Sequence, residues 1–168
     1  GGSTITQQLV KTSLLSPERT LRRKLKEILL SVLVEKLYTK NQLLEMYLNQ
    51  VPYGGTAWGV GTAAEKYFGK KVSQLTLAES ALLAGLPAAP SYYSPFGIHP
   101  DLTTKRQAEV LRRMREDGYI TKDEEERALL ARLTFNLKKE EIKAPHFVMY
   151  VKDILERKYG GELVERGG

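Results

Sequence analysis

Arg19, Arg22, Arg23, Lys24 and Lys26 crowd into the stretch "RTLRRKLKE" and share it with one acid, Glu27. On a helix, at roughly 100° per residue, Arg22, Arg23, Lys26 and Glu27 all fall within about 80° of Arg19. A cationic sector of that kind suits an anionic ligand. The plainer alternative is a solvated face with an Arg23–Glu27 pair at i,i+4, worth only a few tenths of a kcal/mol. A second cluster precedes it. In "GGSTITQQLVK", Thr4, Gln8 and Lys11 stand at i, i+4 and i+7, while Ile5 and Leu9 point elsewhere. Hydroxyl, amide and ammonium groups on one face, entered through Gly-Gly at a helix start, suit sugar or phosphate binding. Thr4 and Gln7 would serve equally as a capping box, and Lys11 as a solvated side chain.

The elements that must carry these groups read as helices almost throughout. Start and stop signals predict helices over residues 4–14, 17–38, 40–50, 60–68, 77–84, 102–117, 122–133 and 145–159. Thr4 with Gln7, Thr39 with Gln42, Thr76 with Glu79 and Thr121 with Glu124 are spaced as capping boxes. Pro17 fits a first helical position after Ser16, and Gly69, Gly85, Gly118 and Gly160 stand where helices should stop. Alternating strand patterns are lacking. The polar stretch Thr134–Lys143 reads as an extended linker, followed by an amphipathic helix carrying Phe147, Val151, Ile154 and Leu155.

The cationic helix changes character along its length. Leu21, Leu25, Ile28, Leu29 and Val32 lie opposite the cations, but Leu30, Leu33, Val34 and Leu37 return to the cationic sector. A helix that becomes apolar all round is expected to be a buried central helix. The bases would then sit where it emerges at the wall of a cleft.

The bulk numbers agree with a folded, anion-seeking domain. The chain has 168 residues, 42% hydrophobic and 27% charged, with a net charge of +6. It has no cysteine, which excludes disulfides and thiolate metal sites. His99 and His146 each adjoin a proline and read as loop or turn residues rather than metal ligands. The longest apolar run, Ile28–Val34, falls far short of the ~18 residues needed to span a bilayer.

Taken together, the segments resemble one family. "GGSTITQQLVK" and "SPERTLRRKLKE" are similar to the second and third motifs of the peptidoglycan glycosyltransferases, glycosyltransferase family 51. "LLEMYLNQVPYG" resembles the fourth motif. "WGVGTAAEKYFGK" and "LTLAESALLAGLPAAPSYYSP" resemble the fifth and the segment beyond it. The likeness is continuous from Gly1 to about Pro95 and looser afterwards. "APHFVMYVKDILERKYG" resembles the connector before the transpeptidase domain of class A penicillin-binding proteins.

The resemblance implies an all-α, lysozyme-like domain with a cleft, lacking its N-terminal part. Residues 1–133 would be a partial glycosyltransferase domain, and 134–168 a linker and helix toward a transpeptidase domain. The implied substrate is lipid II, and the partners are the growing glycan strand, the membrane surface and cell-wall synthesis complexes, with no nucleic acid. The implied place is the outer face of a bacterial cell membrane. The reaction joins the 4-hydroxyl of an acceptor sugar to the anomeric carbon of the growing chain, with inversion, and releases a polyprenyl diphosphate. Such chemistry needs a general base and fixed positive charge at the leaving group.

By resemblance, Lys11 and Arg19 hold the donor diphosphate, and Lys26 stands beside it. Arg23, Lys24 and Glu27 form the Arg-Lys-x-x-Glu motif. Glu27 is the family's second glutamate, which orients the cations or assists at the leaving group or a metal. Ser3, Thr6, Gln7 and Gln8 shape the cleft and its acceptor side. Glu45, Tyr47 and Asn49 are expected to be architectural. No resident cofactor is implied, and a divalent metal, Mg2+ or Mn2+, accompanying the diphosphate is left open.

The family's first motif, Glu-Asp-x-x-Phe-x-x-His-x-Gly, which carries its general base, does not occur in this sequence. Ser-x-x-Lys and Lys-Thr-Gly are also absent. The expectation is therefore a stretch cut at both ends from an enzyme, inactive by itself. The competing readings are a lysozyme-like glycan hydrolase or lytic transglycosylase, which needs carboxylates rather than cations facing the scissile bond, and a basic helical module on an anionic surface. Leu14, Leu15 and Trp58 are candidates for membrane contact, with core packing the expected role of each.

Overall fold

The structure is a computed structural model, and it describes residues 4–14, 20–97 and 100–136, together with 151, 154, 155 and 157. Seven α-helices run through the described residues: α1 (Ile5–Leu14), α2 (Leu21–Leu37), α3 (Lys40–Gln50), α4 (Val60–Phe68), α5 (Leu77–Gly85), α6 (Pro100–Glu116) and α7 (Lys122–Leu130). Short 3-10 turns at Val72–Gln74 and Leu86–Ala88 flank α5. The all-α expectation holds: among the described residues the only strand-like feature is an isolated bridge between Pro52 and Trp58.

The caps explain most of the boundaries. Thr39, Thr76 and Thr121 each accept from the N–H three residues on, and Gln42, Glu79 and Glu124 return the bond to the cap. Thr4 and Gln7 exchange the same pair of bonds ahead of α1. Gly69 and Gly118 take left-handed φ values of 66° and 76° where α4 and α6 stop. Gly85 ends α5 for a different reason. Its backbone is ordinary, but a Cβ there would lie 2.8 Å from Cγ of Arg106 on α6. The expected start of the second helix is corrected. Thr20 is extended and caps α2 through the Arg23 N–H, so the helix begins at Leu21 rather than at Pro17. Residues 15–19, Gly160 and most of the 145–159 segment lie outside the described residues.

The central helix is α5, not α2. Ala78, Glu79, Ala81, Leu82, Leu83 and Gly85 are all buried, so α5 is enclosed nearly all round. On one side it joins Val51, Tyr53, Ala57, Ala63, Ala64, Tyr67 and Phe68 in the larger apolar cluster. On the other, Ala78 and Ala81 meet Leu111 of α6 and Ala128 of α7. Gln107 donates its Nε2 to the Ala78 carbonyl at 2.8 Å and ties α6 to α5.

The expectation that α2 is a buried core helix is overturned. Leu21 is 92% exposed, Leu25 59%, Leu29 58%, Leu33 55% and Leu37 76%. The buried residues of α2 are Glu27 and Ser31. The helix packs on α1, and a helix docked on one neighbour buries one stripe. That stripe is Arg23, Glu27, Leu30, Ser31 and Val34, which overlaps one edge of the cationic sector while Arg22 and Lys26 stay exposed. Trp58, expected in the core, is 60% exposed. Leu15, the side chain of Leu14, His99 and His146 lie outside the described residues.

The end of the domain also differs from a free linker. Phe135 stacks on Phe68 at 5.7 Å and meets Phe96 edge-on. The Asn136 N–H donates to the Tyr67 carbonyl at 2.7 Å, and its Nδ2 donates to the Glu65 carbonyl. Residues 134–136 therefore pack along α4 instead of leaving the body. No helix among the described residues is long and apolar enough to cross a membrane.

Candidate functional site

The two motif helices stand together. α1 packs against both α2 and α3, so the hydroxyl–amide–lysine helix and the Arg/Lys/Glu helix share one side of the molecule. On α1, Thr6 is buried and Gln8 half-buried, while Lys11 is exposed. Gln7 is partly committed to the cap, because its Oε1 accepts the Thr4 N–H at 3.3 Å. Ser3 and Arg19 lie outside the described residues.

Glu27 is the centre of the α2 stripe and only 1% exposed. An ionised carboxylate buried that deeply is costly unless cations and donors surround it. Arg23 supplies one, with Nη2 3.8 Å from Glu27 Oε2. Lys24 supplies the other, its ammonium contacting Glu27 Oε1. Ser31 donates its hydroxyl to the Glu27 carbonyl at 2.7 Å. Satisfaction is incomplete: Glu27 Oε2 and Arg23 Nε are both buried with no hydrogen-bond partner among the described residues. Lys26 is exposed on the flank of the stripe. The local charge is thus one carboxylate against Arg23 and Lys24, with Lys26 and Lys11 open to solvent on neighbouring helices.

That arrangement does two things chemically. The buried carboxylate fixes the rotamers of Arg23 and Lys24, so their positive charge is preorganised. The exposed lysines can meet an anion arriving from solvent. The set does not fit a metal cage held by protein groups, since Glu27 already serves two cations and no group of three acidic or histidine side chains converges among the described residues.

Sequence reasoning missed one neighbour. Tyr47, expected to be architectural, donates its hydroxyl to Gln8 Oε1 at 3.3 Å. Only its place in "YLN" on a neighbouring helix could have signalled this. Asn49 and Glu45 are exposed on α3. An open cavity lined by Thr76, Leu77, Ala78, Glu124, Arg127 and Ala128 lies between α5 and α7 and contains none of the sequence-predicted residues. Its Glu124 is occupied in capping α7.

A family model for the transglycosylases matches residues 1–115. This chain belongs to the transglycosylase family. Penicillin-binding protein 1A of Aquifex aeolicus (strain VF5) is 46% identical over 167 residues, covering 99% of this chain and 23% of that protein. Penicillin-binding protein 1A of Escherichia coli (strain K12) is 44% identical, covering 99% of this chain and 20% of that protein. Penicillin-binding protein 1F of Bacillus subtilis (strain 168) is 41% identical over the whole of this chain. The crystal structure of penicillin-binding protein 1A from Haemophilus influenzae superposes with a TM-score of 0.57 at 30% identity, covering 94% of this chain and 20% of that one. The chain thus spans about a fifth to a quarter of the length of these relatives.

The transglycosylase match contains every sequence-predicted site residue, from Ser3 to Glu27. It also runs past the continuous likeness, which ends near Pro95, and takes in nearly all of α6.

Proposed function

We propose that this transglycosylase chain is the substrate-binding part of a peptidoglycan glycosyltransferase that polymerises lipid II in a class A penicillin-binding protein. One observation carries the reading. α1 and α2 pack together, a buried Glu27 holds Arg23 and Lys24, and the same two helices carry the exposed cations Lys11 and Lys26. A leaving diphosphate carries its charge into the transition state, and fixed cations lower that barrier most.

In the proposed reaction the acceptor 4-hydroxyl attacks the anomeric carbon of the growing strand. The bond to the diphosphate oxygen breaks as the new glycosidic bond forms, and the hydroxyl proton passes to a general base. Glu27 does not fill that last role here. Its carboxylate is enclosed by α1 and committed to Arg23 and Lys24. It acts as the orienting group for the cations. Lys11 and Lys26, joined by Arg19, would meet the diphosphate, and Thr6, Gln7 and Gln8, with Ser3, would line the acceptor side. A divalent metal, if used, would ride on the diphosphate rather than in a protein cage.

The proposed setting is the outer face of a bacterial membrane, with lipid II and the growing strand as partners and cell-wall synthesis complexes around them. A glycan hydrolase is the weaker reading. Retaining and inverting hydrolases need a carboxylate pair facing the scissile bond, whereas the described acids of α1 and α2 are the enclosed Glu27 and, two turns on, Glu35.

The test is lipid II polymerisation by the full-length enzyme carrying this sequence, compared with its Lys11→Ala variant. Lys11 is exposed, so the fold should be unchanged while turnover falls about 10²-fold. Wild-type turnover in Lys11→Ala would overturn the diphosphate role.

A further inference from the structure

We infer that Tyr47 is a positioning residue that fixes the Gln8 carboxamide and so ties the α1 face of the site to the protein core. The inference deepens the glycosyltransferase reading and rests on it. α1 needs such a tie. Its buried residues Thr6, Leu9 and Val10 belong to neither apolar cluster. The larger apolar cluster lies around α4 and α5, and α1 packs on α3, which in turn packs on α4.

Tyr47 has the two contacts required. Its ring packs against the larger cluster, which includes Tyr53 and Tyr67. Its hydroxyl reaches across to Gln8 Oε1 at 3.3 Å. The anchor behind it is itself braced: Tyr53 donates to the Leu48 carbonyl at 3.4 Å, and Tyr67 donates to the Tyr53 carbonyl at 2.7 Å. Burial pushes the Tyr47 phenol above its ordinary value of 10.0.

The consequence is chemical. A carboxamide has one acceptor end and one donor end. The Tyr47 hydroxyl, able to donate to Oε1 or accept from Nε2, holds the amide at a set place beside α3. Gln8 lies on the same helical face as Thr4 and Lys11. The amide is thereby held on that face, where it can meet the hydroxyl and carbonyl oxygens of an N-acylated sugar. Without the Tyr47 hydroxyl this bond from α3 to α1 is lost.

A double-mutant cycle in the full-length enzyme tests this, with lipid II polymerisation as the readout and circular dichroism as the fold check. Gln8→Ala is expected to lower kcat/KM. Tyr47→Phe keeps the ring in the core and should lower kcat/KM about three- to tenfold. The double variant should be no worse than Gln8→Ala alone, because the hydroxyl acts through the amide. Multiplicative losses, or a Tyr47→Phe enzyme with wild-type kinetics beside an impaired Gln8→Ala, would overturn the positioning role and leave the site reading intact. An unimpaired Gln8→Ala would remove Gln8 from the substrate side and overturn both.

Discussion

Glu27 lies one helical turn from Arg23, its Oε2 3.8 Å from the guanidinium, inside a stripe that is buried while the leucines around it face solvent. The pair is built into α2 by the i,i+4 spacing and sealed by α1. Removing Arg23 leaves Glu27 buried with Lys24 as its remaining cation. Arg23→Ala should therefore destabilise the chain by about 1–3 kcal/mol in urea titrations. Glu27→Gln removes the buried charge and should cost less. Equal losses from the two variants would show that the carboxylate carries no desolvation burden.

The apolar side of α2 gives a sharper test. Leu25 and Leu29 are 59% and 58% exposed. Contiguous exposed apolar surface of this kind promotes association and dye binding. The Leu25→Glu/Leu29→Glu double variant of the 168-residue chain should bind less of a hydrophobic dye and sediment closer to a monomer, with stability changed by under about 0.5 kcal/mol per site. The buried-helix expectation makes the opposite forecast: about 2–5 kcal/mol lost at each leucine.

Glu79 links stability to pH. Burial by itself would raise its carboxyl, but the Lys70 ammonium at 2.6 Å and the Thr76 N–H and hydroxyl outweigh it and hold the group below its ordinary 4.5. A depressed folded value contributes stability that is present above 4.5 and lost as pH falls through the folded value. Thermal melts should therefore drop through this acid range more steeply for the wild type than for Glu79→Gln. Near neutral pH, Glu79→Gln should be less stable by about 1–3 kcal/mol, since it loses the ion pair while keeping part of the cap. Parallel pH profiles for the two proteins would rule out this linkage.

The contacts of Phe135 and Asn136 forecast where the domain can be cut. A chain ending at residue 136 should melt as the full chain does in the α4–α5 core. A chain ending at residue 133 loses the Phe135 stack and the Asn136 bonds to α4, and should be less stable by about 2–4 kcal/mol. Identical melts would return residues 134–136 to the linker.

Local signals in the sequence were enough to define most of the described helices and their caps, the start of α2 excepted. Thr-x-x-Gln and Thr-x-x-Glu spacings close on neighbouring N–H groups, and no distant residue is needed to form them. The order of long motifs likewise placed the chain in its family. Local pattern also grouped Arg23, Glu27 and the cations on one sector of α2. It could not say which sector faces inward. Hydrophobicity pointed to the leucine side, and packing chose the other. The deciding fact is where α1 lies, and that depends on contacts between residues far apart in the chain. The same holds for Tyr47 and Gln8, 39 residues apart yet hydrogen-bonded, and for α5, whose enclosure requires α4, α6 and α7 around it. The sequence by itself determined the described elements and, apart from the start of α2, their ends. Only the tertiary structure decided which helix is central, which face of α2 is buried and which side chains meet, because burial is shared among neighbours that no single segment specifies.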